Sequence, residues 1–138
     1  MNTKEYMKMA KTLLRRINRK YREADSIREQ LSAPKSPSFS DMPKTASPQH
    51  NSMEIGIAKI MELENEAAIA EKELETLKSV FRTEISKMDN PEYRDILTKR
   101  YLEFKYWNII AAEMGYSESH TKRLHGIAVK KLILDDTQ

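Results

Sequence analysis

The sequence predicts an all-α protein that combines an N-terminal antiparallel hairpin of long helices, similar to a coiled coil, with a C-terminal helix-turn-helix domain. Three observations lead to this fold class. Apolar residues recur in alternating steps of three and four along two long stretches. Only 3 glycines, 7% aromatic residues and no β-branched runs favour helices over a sheet. A short C-terminal stretch has the pattern of two helices joined by a tight turn.

The first predicted helix covers residues 3–31 and is basic. Its apolar seam follows the spacing of a coiled coil, and only Lys20 interrupts it. The seam consists of Tyr6, Ala10, Leu13, Ile17, Lys20, Ala24, Ile27 and Leu31. Residues 1–31 hold nine Lys and Arg against four Asp and Glu, a net charge of +5. The positive charge either pairs with an acidic helix, which is the simpler interpretation, or binds nucleic acid.

Residues 32–52 are predicted to be a mobile connector. They contain four of the five prolines and six serines, and this composition opposes a helix. The sequence assigns no contact role to this segment.

The second predicted helix, residues 53–89, is acidic, with nine Asp and Glu against five Lys and Arg. Its apolar stripe consists of Met53, Ile57, Ile60, Leu63, Ala67, Ala70, Leu74, Leu77, Phe81, Ile85 and Met88. An antiparallel return would place Leu31 near Met53 and Tyr6 near Leu77.

The C-terminal domain is predicted to cover residues 90–134. Asn90 is a suitable N-cap for a third helix that ends near Phe104, with Pro91 in its first turn. The helix-turn-helix follows at 107–132. Ala111 gives its two helices room to cross, and Gly115 lets the chain reverse four residues later.

Around this turn, apolar residues occupy the positions that must face inward: Trp107, Ile110, Met114, Tyr116, Leu124, Ala128 and Leu132, with Thr121 and Ile127 beside them. Ser117 is a suitable cap for the second helix of the motif, which would be the recognition helix.

The candidate DNA-binding residues lie on the predicted outward face of this helix: Glu118, Ser119, His120, Lys122, Arg123, His125 and Lys130. Arg123 or Lys122 is suited to guanine N7 and O6, and Glu118 to cytosine N4. Ser119 is suited to a base or a phosphate. Gly126 weakens the helix, and its purpose is either close packing of the third helix or close approach of a sugar-phosphate strand.

The stretch 114–132, which begins Met-Gly-Tyr-Ser and ends Ala-Val-Lys-Lys-Leu, resembles the fourth conserved region of bacterial sigma factors. Together with Arg100, Tyr101 and Trp107 before it, it resembles more closely the phage-encoded transcriptional regulators of the ArpU type. The resemblance implies a cytoplasmic activator of phage or prophage genes, in particular late genes. It extends from residue 100 to residue 132 and is loose before that.

Other classes of protein fit the sequence less well. The chain has no cysteine, its histidines are not clustered, and no phosphate-binding glycine loop is present, so neither an enzyme nor a metal or cofactor site is expected. Neither a signal peptide nor a membrane span is expected. The expected partners are double-stranded DNA and a second copy of the chain, which would form a homodimer. The alternatives are a sigma-like factor that binds RNA polymerase, a small terminase subunit and a coiled-coil adaptor.

Overall fold

The computed structural model describes residues 2–32 and 48–136, and within them it contains five α-helices and no strand. The all-α fold class is thus confirmed. The helices are α1 (Thr3–Ser32), α2 (Pro48–Ser86), α3 (Pro91–Leu97), α4 (Trp107–Met114) and α5 (Glu118–Asp136). The chain divides into two compact units, which we call the hairpin unit (Thr12–Glu73) and the C-terminal unit (Met1–Lys11 with Leu74–Gln138).

In the hairpin unit, α1 and α2 run antiparallel. Lys20 of α1 forms an ion pair of 2.6 Å with Glu66 of α2. Further along α1, Leu31 lies against Gly56, which precedes Glu66 on α2, so the two helices run in opposite directions. A Cβ atom added to Gly56 would lie 3.0 Å from the methyl carbons of Leu31, so the two helices are close there. The predicted neighbour of Leu31 was Met53, and the observed register therefore differs by three residues, less than one helical turn.

The predicted seams are confirmed over most of their length. On α1, the buried members are Tyr6, Ala10, Leu13, Ile17 and Ala24. Every member of the second stripe from Ile60 to Met88 is buried, although α2 ends at Ser86 rather than at the predicted residue 89, so Met88 lies just after the helix. The prediction was wrong for Met53 and Ile57, each 48% exposed. Because Leu31, next to the last residue of α1, already reaches Gly56, the α1 helix does not extend far enough to cover Met53.

The boundaries of the second helix also differ from the prediction. The α2 helix begins at Pro48 rather than at residue 53, so residues 48–52, assigned to the connector, are helical. A proline opens a helix without cost because the first turn needs no internal N–H bond. The rest of the predicted connector, residues 33–47, lies outside the described residues.

In the C-terminal unit, the N-terminal turns of α1 meet the end of α2 through aromatic rings. Tyr6 stacks on Phe81 with ring centroids 4.2 Å apart, four residues beyond the predicted neighbour Leu77. The Tyr6 hydroxyl donates a hydrogen bond of 2.8 Å to the backbone carbonyl of Tyr101. Burial raises the pKa of Tyr6 to about 12, as expected for a phenol that functions only as a neutral hydrogen-bond donor.

The third helix starts as predicted. The Asn90 side chain accepts hydrogen bonds from the backbone N–H groups of Glu92 (2.8 Å) and Tyr93 (3.4 Å), and Pro91 occupies the first turn. The α-helical part ends at Leu97, and the chain continues directly into a π-helical turn, Thr98–Leu102. The last helix, α5, packs against both α3 and α4.

Candidate nucleic-acid interface

The turn between α4 and α5 has the predicted break at Gly115. This residue has φ 75° and ψ 28°, the left-handed conformation that glycine adopts without a steric penalty. Tyr116 N–H donates to the carbonyl of Ala111 (3.0 Å) and Gly115 N–H to that of Ala112 (3.3 Å). These two bonds are the Schellman pattern that ends a helix. The chain therefore leaves α4 abruptly, and α5 begins only three residues after Gly115.

The start of α5 depends on Ser117, as predicted. Its hydroxyl accepts a hydrogen bond of 3.1 Å from the backbone N–H of His120, which satisfies a donor that the helix itself leaves free. Its carbonyl accepts the hydroxyl proton of Thr121 at 2.7 Å. Thr121 is completely buried, so this bond gives its hydroxyl the partner that burial demands.

The face of α4 and α5 that points inward agrees with the prediction in part. The buried positions are Ile110, Ala111, Thr121, Ala128 and Leu132; the half-buried ones are Trp107, Met114, Tyr116 and Leu124. Ile127, expected beside the core, is 40% exposed. The Tyr116 hydroxyl donates to the carboxylate of Glu92, which ties the turn to the start of α3.

The opposite face of α5 is polar and exposed. At about 100° per residue, Ser119, Arg123, Gly126 and Lys130 fall on one line that points away from Thr121 and Ala128. All four are exposed, as are Glu118 and Lys122 at the start of the helix. His120 is half-buried, with its ring 4.5 Å from that of Tyr116. Five of the seven candidate residues are thus exposed on α5, and His120 is half-buried beside them.

The seventh candidate, His125, does not point outward, and this prediction was wrong. Its ring lies edge-on to Trp107 at 4.7 Å, and its Nε2 atom is 2.6 Å from the hydroxyl of Tyr101. Burial, with a smaller contribution from the charge of Arg100, lowers the pKa of His125 to about 4, which keeps the imidazole neutral. Its position four residues after the buried Thr121 could have indicated this orientation, because such residues share a helix face.

Sequence reasoning missed the role of Arg100. Its guanidinium carbon lies 4.6 Å from the centre of the Trp107 ring, and its Nη1 donates to the carbonyl of Lys105 at 3.0 Å. Arg100 thereby closes the loop 103–106, in which Phe104 has the unusual φ of 55°. Arg100 lies within the π-helical turn, for which no sequence signal is available.

The cations of the predicted C-terminal domain, residues 90–134, divide into two groups. Five have a partner: Arg94 (Met88 carbonyl), Lys99 and Lys105 (Glu113), Arg100 (Trp107) and Lys131 (Tyr93 ring). Lys99 and Lys105 also lower the pKa of Glu113 through their hydrogen bonds. In contrast, Lys122, Arg123 and Lys130 have no hydrogen bond, ion pair or ring contact in the described part of the chain. The uncompensated positive charge of this domain is therefore concentrated on the outward face of α5.

Comparison with known proteins gives no match to a family model, to a curated protein or to a solved structure. Among the described helices, none combines the length and the apolar character needed to cross a membrane. In the same residues, His, Cys, Asp and Glu side chains form no group of three or more that could hold a metal ion.

Proposed function

We propose that this protein is a sequence-specific, double-stranded DNA-binding regulator of transcription, with α5 as the helix that enters the major groove. The observation that carries the proposal is that the exposed cations of α5, Lys122, Arg123 and Lys130, have no partner in the described residues. The helix that bears them starts at the Ser117 cap, directly after the tight turn at Gly115. Recognition helices contact bases through their first turns. In the first turns of α5, the exposed side chains of Glu118, Ser119, Lys122 and Arg123 carry hydrogen-bonding groups that suit base edges.

Each exposed side chain has a role in this proposal. Arg123, and Lys122 beside it, donate to guanine N7 and O6, while Glu118 accepts from cytosine N4. Ser119 contacts a base or a phosphate. Lys130, almost two turns further along the same line, meets the sugar-phosphate backbone, since phosphate contacts fix register and carry no sequence information.

Gly126 supports close approach of a strand to α5. A Cβ atom at this position would meet no other atom within 4 Å, so packing inside the chain does not require glycine here. A glycine in the middle of a helix nevertheless costs about 1 kcal/mol relative to alanine. Of the two purposes that the sequence allowed, packing of the third helix is thereby not supported. Approach of a sugar-phosphate strand is the purpose we propose.

A homodimer is part of the proposal. Met53, Ile57 and Met61 are spaced four residues apart on α2 and are 48%, 48% and 66% exposed. They form one exposed apolar stripe on α2, which includes the two predicted seam residues that α1 does not cover, and a stripe of this kind is typical of a contact surface. A dimer also suits operators that contain two half-sites. The resemblance to ArpU-type regulators favours, in addition, a cytoplasmic activator of phage or prophage genes.

The proposal is tested by selecting bound sequences from a random duplex pool. The wild type should yield a consensus, and Arg123→Ala should lose about 1–3 kcal/mol of discrimination between that site and random DNA. Lys131→Ala is the matched control, because it removes the same charge from the same helix at a residue that contacts Tyr93. Equal loss in both variants, or no consensus, would contradict base reading by α5. Binding to purified RNA polymerase without binding to DNA would favour the sigma-like alternative.

A further inference from the structure

The cations of α1 within the hairpin unit fall into two classes, those that pair with α2 and those that have no partner in the described residues. Lys20 and Arg28 flank the seam and pair with α2: Lys20 with Glu66 at 2.6 Å, and Arg28 with Glu64. The ammonium of Lys20 holds the pKa of Glu66 below its usual value. Pairing with the acidic helix therefore accounts for part of the basic charge of α1.

Pairing does not account for Arg16, nor for Arg15, Arg19 and Arg22, which share one face of the helix. At about 100° per residue, these three lie within about 60° of one another, and the buried seam residues Leu13 and Ile17 lie on the opposite side of the helix. Arg15 and Arg22 point almost directly away from α2, whereas Arg19 lies at the edge of this face and borders a pocket that Glu66 and Glu73 of α2 also line. All three are exposed, and none has a hydrogen bond or ion pair within the residues that the structure describes.

The sequence around these arginines also lacks the acidic residues that a solvated helix face normally carries. Residues 6–22 contain seven Lys and Arg and no Asp or Glu. Surface helices gain stability from Glu and Lys spaced four apart, whereas like charges at this spacing destabilise them. Arg15 and Arg19 have this unfavourable spacing. The α1 helix thus maintains a concentrated positive face that its own stability does not need.

We propose that this arginine face of α1, formed by Arg15, Arg19 and Arg22, binds the phosphate backbone of duplex DNA as a contact additional to α5. The inference rests on the proposed function only for its partner, duplex DNA. The two ends of the face are seven residues, about 10 Å, apart along α1. One strand of duplex DNA carries a phosphate per about 3.4 Å of helix axis, so a strand running along the face offers a phosphate to each guanidinium. Arginine binds phosphate through two parallel N–H bonds, which lysine cannot do.

The test separates phosphate contact from base reading. Affinity is measured by fluorescence anisotropy at several salt concentrations, for the selected site and for a random duplex of equal length. Removal of two phosphate contacts in Arg15→Gln/Arg19→Gln should reduce the slope of log affinity against log salt by about 1.8. The ratio of specific to random binding should not change, because phosphate contacts carry no sequence information. Arg123→Ala should do the reverse and change mainly the ratio.

Two controls show whether contact or net charge is responsible. Lys59→Gln/Lys72→Gln removes the same charge from α2 in the same unit and should leave the slope unchanged. Arg15→Lys/Arg19→Lys keeps the charge and should keep most of the slope. Arg15→Gln/Arg19→Gln should also melt no lower than the wild type, because it relieves repulsion within α1.

Several outcomes would overturn the inference without affecting α5. One is an unchanged salt slope in Arg15→Gln/Arg19→Gln, and another is an equal decrease of the slope in the α2 control. A third is that Arg15→Gln/Arg19→Gln loses binding to RNA polymerase while its DNA binding stays intact, which would assign the face to a protein partner. Conversely, salt-dependent binding that needs Arg15 and Arg19 but shows no sequence preference would support the arginine face and refute base reading by α5. No duplex binding by the wild type would refute both.

Discussion

Replacement of Gly126 with alanine should separate the stability of α5 from its function. The new methyl group has free space in the protein, since no atom lies within 4 Å of its position. The variant should therefore gain the full difference in helix propensity, about 1 kcal/mol. For a chain of this size, that gain raises the melting temperature by about 4 °C, measured by circular dichroism.

DNA binding by the same variant should become weaker. Gly126 lies between Arg123 and Lys130 on the exposed line of α5, where the proposed complex brings a strand close to the helix backbone. A methyl group inserted into a close contact costs about 1–3 kcal/mol. We therefore expect affinity for the selected site to decrease about tenfold, which corresponds to about 1.4 kcal/mol. Anisotropy titrations at fixed salt measure this decrease.

The other two glycines provide controls with different expected results. Gly115→Ala places a side chain at φ 75° and should lose about 1–2 kcal/mol of stability. Gly56→Ala should gain less than Gly126→Ala, because its methyl group meets Leu31 at 3.0 Å. If Gly126→Ala gained stability and bound DNA as tightly as the wild type, close approach at Gly126 would be refuted. A lower melting temperature would instead contradict the open surroundings of this residue.

Four further results follow from the structure. Burial lowers the pKa of His125 from 6.5 to about 4, so the unfolded chain takes up a proton at a higher pH than the folded chain does, and stability should decline as the pH falls from about 6.5 towards 4. In thermal melts between about pH 7 and 5, His125→Phe should reduce this decline. An unchanged dependence of stability on pH in the variant would contradict the prediction. Asn90→Ala should cost about 1 kcal/mol in chemical denaturation through loss of the helix cap; no change would argue against the cap. Trp107→Ala should cost about 2 kcal/mol, less than for a fully buried tryptophan, because the ring is half-buried beneath Arg100; a loss above about 4 kcal/mol would indicate full burial. Met61→Glu should convert the proposed dimer to monomer in sedimentation with helicity retained, and an unchanged sedimentation coefficient would exclude this stripe.

Much of the fold could be predicted because its signals are local. The buried stripe from Ile60 to Ile85 on α2 follows from the spacing of apolar residues alone. The caps at Asn90 and Ser117 and the turn at Gly115 depend on the chemistry of single residues next to a helix end. The register between the helices was less accurate, because a shift of one turn preserves the apolar pattern.

The candidate site could be predicted where helix periodicity alone determines which side chains are exposed. It could not be predicted where contacts with other segments determine the exposure. Ser119, Arg123 and Lys130 are exposed because they lie opposite the core of α5. The surroundings of His125 depend instead on the π-helical turn, which brings Tyr101 to the imidazole. Residues distant in sequence meet there, and no periodicity in the sequence describes such a contact.

The distribution of charge has a consequence that net charge alone conceals. The chain carries only +3, a value that by itself favours no particular partner. Much of its positive charge, however, has partners within the chain: Lys20 and Arg28 pair with glutamates of α2, and Lys99 and Lys105 share Glu113. Among the described residues, the positive charge that remains without a partner lies on α1 and on α5, and it includes the arginine face of α1 and the outward face of α5. Because counterion release depends on how many phosphates are contacted and not on total charge, a protein of this modest charge can still bind nucleic acid with a strong dependence on salt.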